Sequence, residues 1–111
     1  MKRIKTLKMN YEFKNVFTKG KYYVGEQVII YFLNNKYGYN RIGIAISSKL
    51  CDAVKRNRIK RLIRASYQRF ECNSSYDIVF IWNKKANVED ACFNVIFKDL
   101  NKAFLKFGIV E

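Results

Sequence analysis

The stretch DAVKRNRIKRLIRASYQRF, residues 52–70, decides the fold of this chain. At 100° per residue, the spacing of an α-helix, its large apolar side chains fall on one arc of about 140°. These side chains are Ile59, Leu62, Ile63, Tyr67 and Phe70. The pattern predicts an amphipathic helix whose apolar arc faces a hydrophobic core.

The rest of this helix is basic. Seven Lys or Arg lie between Lys55 and Arg69, with no acid among them. A second arc of about 140° holds the donor side chains Arg56, Asn57, Lys60, Arg61 and Arg64, with Arg58 and Arg69 beyond it. Like charges four residues apart cost an isolated helix a few tenths of a kcal/mol per pair. A polyanion along this face would reverse the sign of that term, so the pattern favours docking on nucleic acid through phosphates. The alternative is a merely solvated basic face, which usually has acids interspersed.

Strand-like runs flank the basic helix. Residues 41–46 (RIGIAI) precede it and residues 76–82 (YDIVFIW) follow it, and both are rich in β-branched or aromatic residues. Residues 27–33 (QVIIYFL) form a similar run, and we interpret residues 34–40 (NNKYGYN) as a hairpin loop between two strands. Residues 22–24 add a short strand ahead of them.

A helix is predicted near each end of the chain. Asn10 can cap the first, in which Phe13, Val16 and Phe17 share a face before Gly20 ends it. The last helix is predicted to run from a cap at Asn87 to Gly108. The order helix, strands, helix, strand, helix predicts a two-layer α/β sandwich.

The composition is that of a folded basic protein. The chain has 111 residues, half of them hydrophobic, and 22 Lys plus Arg against 9 Asp plus Glu, a formal charge of +13. This length and apolar content predict one domain over residues 1–111. No run approaches the roughly 20 apolar residues of a membrane helix, so we expect a cytoplasmic protein whose partner is nucleic acid.

The residue types exclude several chemistries. The chain has no histidine, so it offers no imidazole base and no His-containing nucleophile pair or metal site. Cys51, Cys72 and Cys92 are far apart, which predicts small core residues of a reducing compartment and no zinc or disulfide framework. A nuclease acting alone would need carboxylates gathered round a metal, but the aspartates lie on separate predicted elements: Asp52, Asp77, Asp90 and Asp99. No catalytic or metal site is therefore predicted.

An ordered set of short motifs runs through the chain. The basic helix contains Arg56-Asn57-Arg58 within residues 53–64, and residues 7–20 follow the pattern L-K-x-N-x-x-F-x-x-V-F-x-x-G. The other motifs are Arg41-Ile42-Gly43, Ser47 with Lys49, and Asp77-Ile78-Val79. In this order the motifs resemble those of the protein subunit of bacterial ribonuclease P, and residues 53–64 are similar to that family's signature helix.

The resemblance implies an αβββαβα sandwich with a small, mostly antiparallel sheet and a left-handed crossover around the basic helix. Three positions depart from the family pattern. Ser48 stands where a second Lys is usual, Ala65 where Glu is frequent, and Asn83 where Arg is common. The last departure removes an expected substrate contact, which Lys84 or Lys85 lies close enough to replace.

The resemblance also implies a division of labour with RNA. In that family a large RNA holds the catalytic groups and Mg²⁺ and removes the 5′ leader from precursor tRNA, so the partners are the catalytic RNA and precursor tRNA. No membrane or obligate protein partner is implied. The residues matched to catalytic-RNA docking are Arg56, Asn57, Arg58, Lys60, Arg61 and Arg64. Those matched to leader binding, in a cleft between the first helix and the sheet, are Phe13, Phe17, Tyr31, Lys49 and Lys84.

Other readings stay open. A basic protein of another ribonucleoprotein, such as the ribosome, would share the charge and apolar content, and a binder of anionic membranes would share the charge. Phe13 and Phe17 would then be ordinary helix core. Ser47 or Ser48 is a candidate cap of the basic helix beside Lys49, where a phosphate would meet a cation and free backbone N–H groups.

Overall fold

A computed structural model of the chain describes residues 4–73 and 75–110. The elements, in chain order, are β1 (Lys5–Thr6), α1 (Asn10–Lys19), β2 (Lys21–Val24), β3 (Val28–Asn34), β4 (Arg41–Ala45), α2 (Ala53–Tyr67), β5 (Tyr76–Trp82), a 3₁₀ turn (Val88–Asp90) and α3 (Phe93–Lys106). The predicted α/β sandwich is confirmed, including the short strand at residues 22–24. β1 is an additional two-residue strand that the sequence did not indicate.

The five strands form one sheet in the order β1-β4-β5-β3-β2. β3 pairs antiparallel with both β2 and β5, whereas β4 pairs parallel with β1 and β5. β4, α2 and β5 therefore make a βαβ unit with adjacent parallel strands.

The predicted hairpin between β3 and β4 is wrong. Both strands pair with β5, which lies between them: Phe80 is opposite Ile30 on one side and Ile44 on the other. The physical reason is burial, because β5 is apolar on both faces and a strand of that kind is stable in the centre of a sheet. Residues 34–40 instead cross the end of β5, where the Asn35 N–H donates to the Ser75 carbonyl at 2.9 Å.

The larger core lies between the sheet and helices α2 and α3. Ile59 and Ile63 of α2 are fully buried, and Leu62, Tyr67 and Phe70 pack against the same core, as predicted. Each fully buried aliphatic side chain contributes about 1.5–3 kcal/mol. Ser66 is also fully buried, which its hydroxyl tolerates by donating to the Leu62 carbonyl at 2.9 Å.

A second core lies on the opposite face of the sheet, under α1. Val16 of α1 is fully buried beside Leu7 and Val79, with Phe13 packed against them. The ring of Phe13 lies directly on Gly43, where a Cβ would meet ring atoms at 2.5 Å. This contact explains physically why the Arg41-Ile42-Gly43 motif has glycine in its third position.

The helix starts differ from the sequence predictions. α1 is capped from Met9, whose N–H donates to the Glu12 carboxylate at 2.8 Å, so Asn10 is the first helical residue rather than the cap. α2 is capped by Asp52, whose carboxylate accepts from the Lys55 N–H at 2.9 Å, in place of Ser47 or Ser48.

The third helix starts later than predicted. Asn87 does act as a cap, but of the 3₁₀ turn, and α3 begins at Phe93. The cysteine prediction is also wrong in part, because Cys51 and Cys72 are half-buried but Cys92 is exposed.

Candidate nucleic-acid interface

The solvent side of α2 presents most of the predicted donors. Asn57, Arg58, Arg61 and Arg64 are exposed, and Lys60 is half-buried at the edge of the helix. Arg56 differs from the prediction: it is half-buried, and its guanidinium donates to the Cys51 carbonyl at 2.7 Å. The reason is its position on the wheel, which lies between those of Ile63 and Tyr67 on the core side.

The cations on this face have no acidic partners within the described part of the chain. The ion pairs there join Arg41 to Glu12 and Asp77, and Lys55 to Glu89. Arg58, Lys60, Arg61 and Arg64 take part in none of them. The exposed side of α2 is therefore a strip of uncompensated positive charge, suited to a phosphate backbone.

An open groove of about 810 Å³ runs past the first turns of α2 and the ends of β4 and β5. Lys49, Lys60 and Lys84 line it together with apolar side chains that include Ile29 and Ile81. The structure thus brings together Lys49 and Lys84, two residues 35 positions apart that were matched to leader binding. Cations around an apolar floor can hold a single strand of nucleic acid by phosphates and bases together.

An aromatic cluster lies beneath α1, on the face of the sheet that carries Ile29 of the groove. The Phe17 ring meets Tyr31 edge-to-face with centroids 4.9 Å apart, and Tyr22 lies 5.4 Å from Tyr31 on its other side. Tyr31 and Ile29 are alternate residues of β3, so they share one face of the sheet. Phe17 is 39% exposed and Tyr22 is 59% exposed, which leaves ring surface for stacking on bases.

Phe13 and Tyr22 revise the predicted set. Phe13 is half-buried and packs on Gly43, so its role is closer to core packing than that of Phe17. Tyr22 was not singled out in the sequence, although the register of β2 on β3 places it directly opposite Tyr31. That pairing depends on knowing which strands are neighbours, which a single sequence does not give.

Asn83 is a structural residue in this fold. It is buried, its side-chain amide donates to the Gly25 carbonyl at 2.9 Å, and its side-chain oxygen accepts from the Lys85 N–H at 3.1 Å. Its side chain is therefore engaged within the protein and fixes the end of β5. Lys84 and Lys85 are exposed next to it, and Lys84 lines the groove.

The buried carboxylates are held by structural partners. Asp77 accepts two hydrogen bonds from the Arg41 guanidinium, at 2.9 and 2.7 Å, and Arg41 also pairs with Glu12 at 2.6 Å. Asp99 accepts from three successive backbone N–H groups of residues 26–28, at 2.8 to 3.0 Å. The first set ties α1 to the sheet, and the second fixes the turn between β2 and β3.

The pKa shifts follow from these contacts. The hydrogen bonds that the Arg41 guanidinium donates to the Asp77 carboxylate raise the pKa of Arg41 above its ordinary value. Backbone N–H groups of Met9 and Lys8 lower the pKa of Glu12 below its ordinary value of 4.5. Both groups are therefore held in their charged forms, and the ion pairs they make hold α1 against the sheet.

The described residues contain neither a metal-ligand cluster nor a membrane-spanning helix. Within residues 4–73 and 75–110, no three His, Cys, Asp or Glu side chains gather into a group that could hold a metal ion. In the same ranges, no helix has the length and apolar content to cross a membrane.

An α/β sandwich with a cationic helix face beside an aromatic groove defines a class: small basic proteins that bind nucleic acid. Comparison with known proteins narrows that class, because the family model described as Ribonuclease P matches residues 1–108. The chain belongs to this family, whose members are the protein part of a tRNA-processing endoribonuclease. The resemblance found in the sequence is thus confirmed.

Individual relatives and solved structures agree with this family assignment. The ribonuclease P protein component of Fusobacterium nucleatum is 42% identical over 110 residues, covering 95% of this chain and 98% of the relative. That of Clostridioides difficile is 38% identical over 104 residues, covering 91% and 86%. The RNase P protein of Staphylococcus aureus superposes with a TM-score of 0.82 at 28% identity, covering 98% of this chain and all of the other. The RNase P protein from Thermotoga maritima gives 0.77 at 28% identity, covering 88% and 93%.

Proposed function

We propose that this chain binds the catalytic RNA of ribonuclease P through α2, and the 5′ leader of precursor tRNA in the groove and along the aromatic cluster beneath α1. The observation that supports this most strongly is the juxtaposition of two surfaces. One is the uncompensated cationic side of α2, and the other is the lysine-lined groove beside it, whose residue Ile29 shares a face of the sheet with the aromatic cluster beneath α1.

The α2 face suits a folded RNA. Arg61 and Arg64 are exposed, and Lys60 lines both the groove and a neighbouring hollow that also contains Arg64. The cations are therefore spread along the helix axis and not clustered at one place. Guanidinium groups fork onto phosphate oxygens, and such contacts position an RNA without reading its sequence. A protein that always binds the same RNA can dock on its backbone and shape and does not need to read its sequence.

The groove suits a single strand. Phe17, Tyr22 and Tyr31 offer ring faces and edges, and Lys49 and Lys84 lie where the strand's phosphates would pass. Base–aromatic stacking is tolerant of sequence because every base has a π face. The groove can therefore accept the differing leaders of many precursor tRNAs.

The chemistry in this proposal belongs to the RNA. The catalytic groups and Mg²⁺ are expected to be held by it, and the protein is expected to have no active site of its own. Its cations would neutralise phosphates where the leader, the RNA and bound metal ions meet, which raises substrate affinity and lowers the Mg²⁺ concentration needed. No obligate protein partner is proposed, and the working compartment is the bacterial cytoplasm, where both RNAs are found.

The leader contact can be tested by comparing two substrates. The holoenzyme, assembled from this protein and a bacterial ribonuclease P RNA, is titrated with precursor tRNA and with mature tRNA that lacks a leader. The expected result is tighter binding of the precursor, and Phe17→Ala with Tyr22→Ala should remove about five- to tenfold of that preference. Binding of mature tRNA should not change.

Phe17→Leu is the matched control for Phe17→Ala. Leucine keeps apolar volume at this position but removes the aromatic face, so the comparison separates base stacking from apolar contact. A preference for the precursor that survives all three substitutions would contradict leader binding in this groove. If the protein bound the catalytic RNA tightly but conferred no preference for the precursor, docking on the RNA would stand and leader binding would be contradicted.

A further inference from the structure

The loop between β3 and β4 presents two tyrosines that neither the α2 face nor the groove uses. Tyr37 is 55% exposed and Tyr39 is 42% exposed. Their ring centroids lie 5.8 Å apart with the planes tilted by 34°. Together the two rings form a solvent-exposed aromatic patch on a protein of high positive charge.

The loop backbone that carries these rings is fixed by hydrogen bonds. The Tyr37 N–H donates to the Asn35 side-chain oxygen at 3.0 Å, and the Asn35 amide donates to the Tyr39 carbonyl at 3.2 Å and to buried Asp77 at 2.8 Å. Gly38, between the tyrosines, has a φ of +80°, a left-handed conformation that glycine adopts without strain. The rings are thus ordered before any ligand binds, which lowers the entropic cost of binding.

Cations lie on and around both rings. The Arg41 guanidinium lies 4.3 Å from the Tyr37 centroid, and the Lys5 ammonium lies 5.3 Å from the Tyr39 centroid. The charge of Arg41 is balanced by Glu12 and Asp77. The neighbouring exposed lysines are in no ion pair among the described residues: Lys5, Lys8 and Lys36.

The combination of an exposed aromatic pair and neighbouring lysines indicates which kind of ligand this surface would bind. Lysines alone would suit any anion, but a flat aromatic pair beside them suits an anion that carries its own planar ring. An unpaired nucleotide has both parts: a base that stacks on an aromatic face and a phosphate within reach of ammonium groups.

The position of the loop indicates which RNA would supply that nucleotide. A hollow lined by Lys5, Lys8 and Tyr39 meets a second hollow, lined by Lys60 and Arg64, at Thr6 of β1. The cationic strip of α2 therefore continues across β1 to the tyrosines. The groove lies at the opposite end of β5, and a seven-residue strand separates its ends by about 20 Å.

We propose that Tyr37 and Tyr39 form a second contact for the catalytic RNA, in which an unpaired nucleotide of the RNA docked on α2 stacks on the ring pair. Lys5, Lys8 and Lys36 hold the adjoining phosphates. The inference rests on the proposed function, because it places the catalytic RNA on α2.

The first test measures the affinity of the full-length protein for a bacterial ribonuclease P RNA. Replacing both tyrosines by alanine should weaken binding about tenfold, within the range found for loss of base stacking. Replacing both by phenylalanine should preserve binding, and replacing both by leucine should weaken it as alanine does. Tyr11→Ala is the matched control, because Tyr11 is an exposed tyrosine of α1, 67% exposed, outside all three surfaces.

The second test locates the contact in the unaltered protein. Ultraviolet irradiation of the complex followed by trypsin should yield the peptide of residues 37–41, YGYNR, carrying a nucleotide of the catalytic RNA. This experiment does not depend on whether the alanine variant folds, and thermal melting of each variant checks that point separately.

The outcomes separate the two proposals. If the wild-type protein does not bind the RNA, the proposed function fails. If it binds but the leucine variant binds equally well, or if the peptide crosslinks only to precursor tRNA or to neither RNA, this inference alone is overturned. Weakening by leucine and alanine, preservation by phenylalanine and a crosslink to the catalytic RNA support it.

Discussion

Replacing Arg61 and Arg64 of α2 by alanine tests the docking face without disturbing the fold. Both residues are exposed, and neither takes part in an ion pair within residues 4–73 and 75–110. The free energy of unfolding should therefore change by less than about 0.5 kcal/mol. A small increase is expected, because Arg64 lies four residues from Lys60 and that like-charge pair is removed.

The effect on RNA binding should be large and dependent on salt. Each phosphate contact contributes about 0.7 to 0.9 to the slope of log affinity against log salt concentration. Losing two contacts should make the slope shallower by about 1.4 to 1.8. The ratio of wild-type to variant affinity should then fall about tenfold as monovalent salt rises from about 50 to about 200 mM.

The assay is equilibrium binding of the catalytic RNA at several salt concentrations and one fixed Mg²⁺ concentration. The control is Lys98→Ala with Lys102→Ala, which removes the same charge from exposed positions on α3. Its slope should stay close to that of the wild-type protein. An unchanged slope for the α2 variant, or an equal loss in both variants, would refute docking on α2.

Three further predictions concern the residues that hold α1 on the sheet. Arg41→Met leaves the buried Asp77 carboxylate without its cationic partner, so the free energy of unfolding in urea should fall by about 3–5 kcal/mol. A loss below about 1 kcal/mol would contradict this. Gly43→Ala puts a methyl group into the Phe13 ring and should cost about 1–3 kcal/mol, whereas an unchanged unfolding midpoint would refute the close contact. The pKa of Glu12 is lowered in the folded protein, so its ionised form stabilises the fold. This stabilisation is fully present at pH values above the ordinary pKa of 4.5, and it is lost as the pH falls through the lowered pKa. The difference in unfolding free energy between wild type and Glu12→Gln should thus be constant above about pH 5 and shrink in more acidic solution; a difference independent of pH would show that the carboxylate's charge is not involved.

The features that could be predicted from sequence are those encoded locally. The apolar arc of α2 depends only on helical periodicity, and Ile59 and Ile63 are buried as that periodicity requires. The cationic strip follows from the same wheel, apart from Arg56 at its boundary. Phe17 and Tyr31 were matched through the family pattern, and the structure brings their rings into contact.

The features that could not be predicted depend on which distant segments meet. The central place of β5 is decided by competition among strands for burial, so the hairpin between β3 and β4 was a reasonable but wrong expectation. Asn83 binds the Gly25 carbonyl, 58 residues away, and Asp99 binds amides more than 70 residues away. Residues of this kind look like surface polar groups until their partners are known.

The central claim is that the protein supplies binding surfaces and the RNA supplies the chemistry. The most direct measurement is cleavage of precursor tRNA at low Mg²⁺ by a bacterial ribonuclease P RNA alone, by the protein alone and by the two together. We predict leader removal only when both are present, with the Mg²⁺ requirement of the RNA lowered by the protein. Cleavage by the protein alone, or an unchanged Mg²⁺ dependence when the protein is added, would contradict the claim.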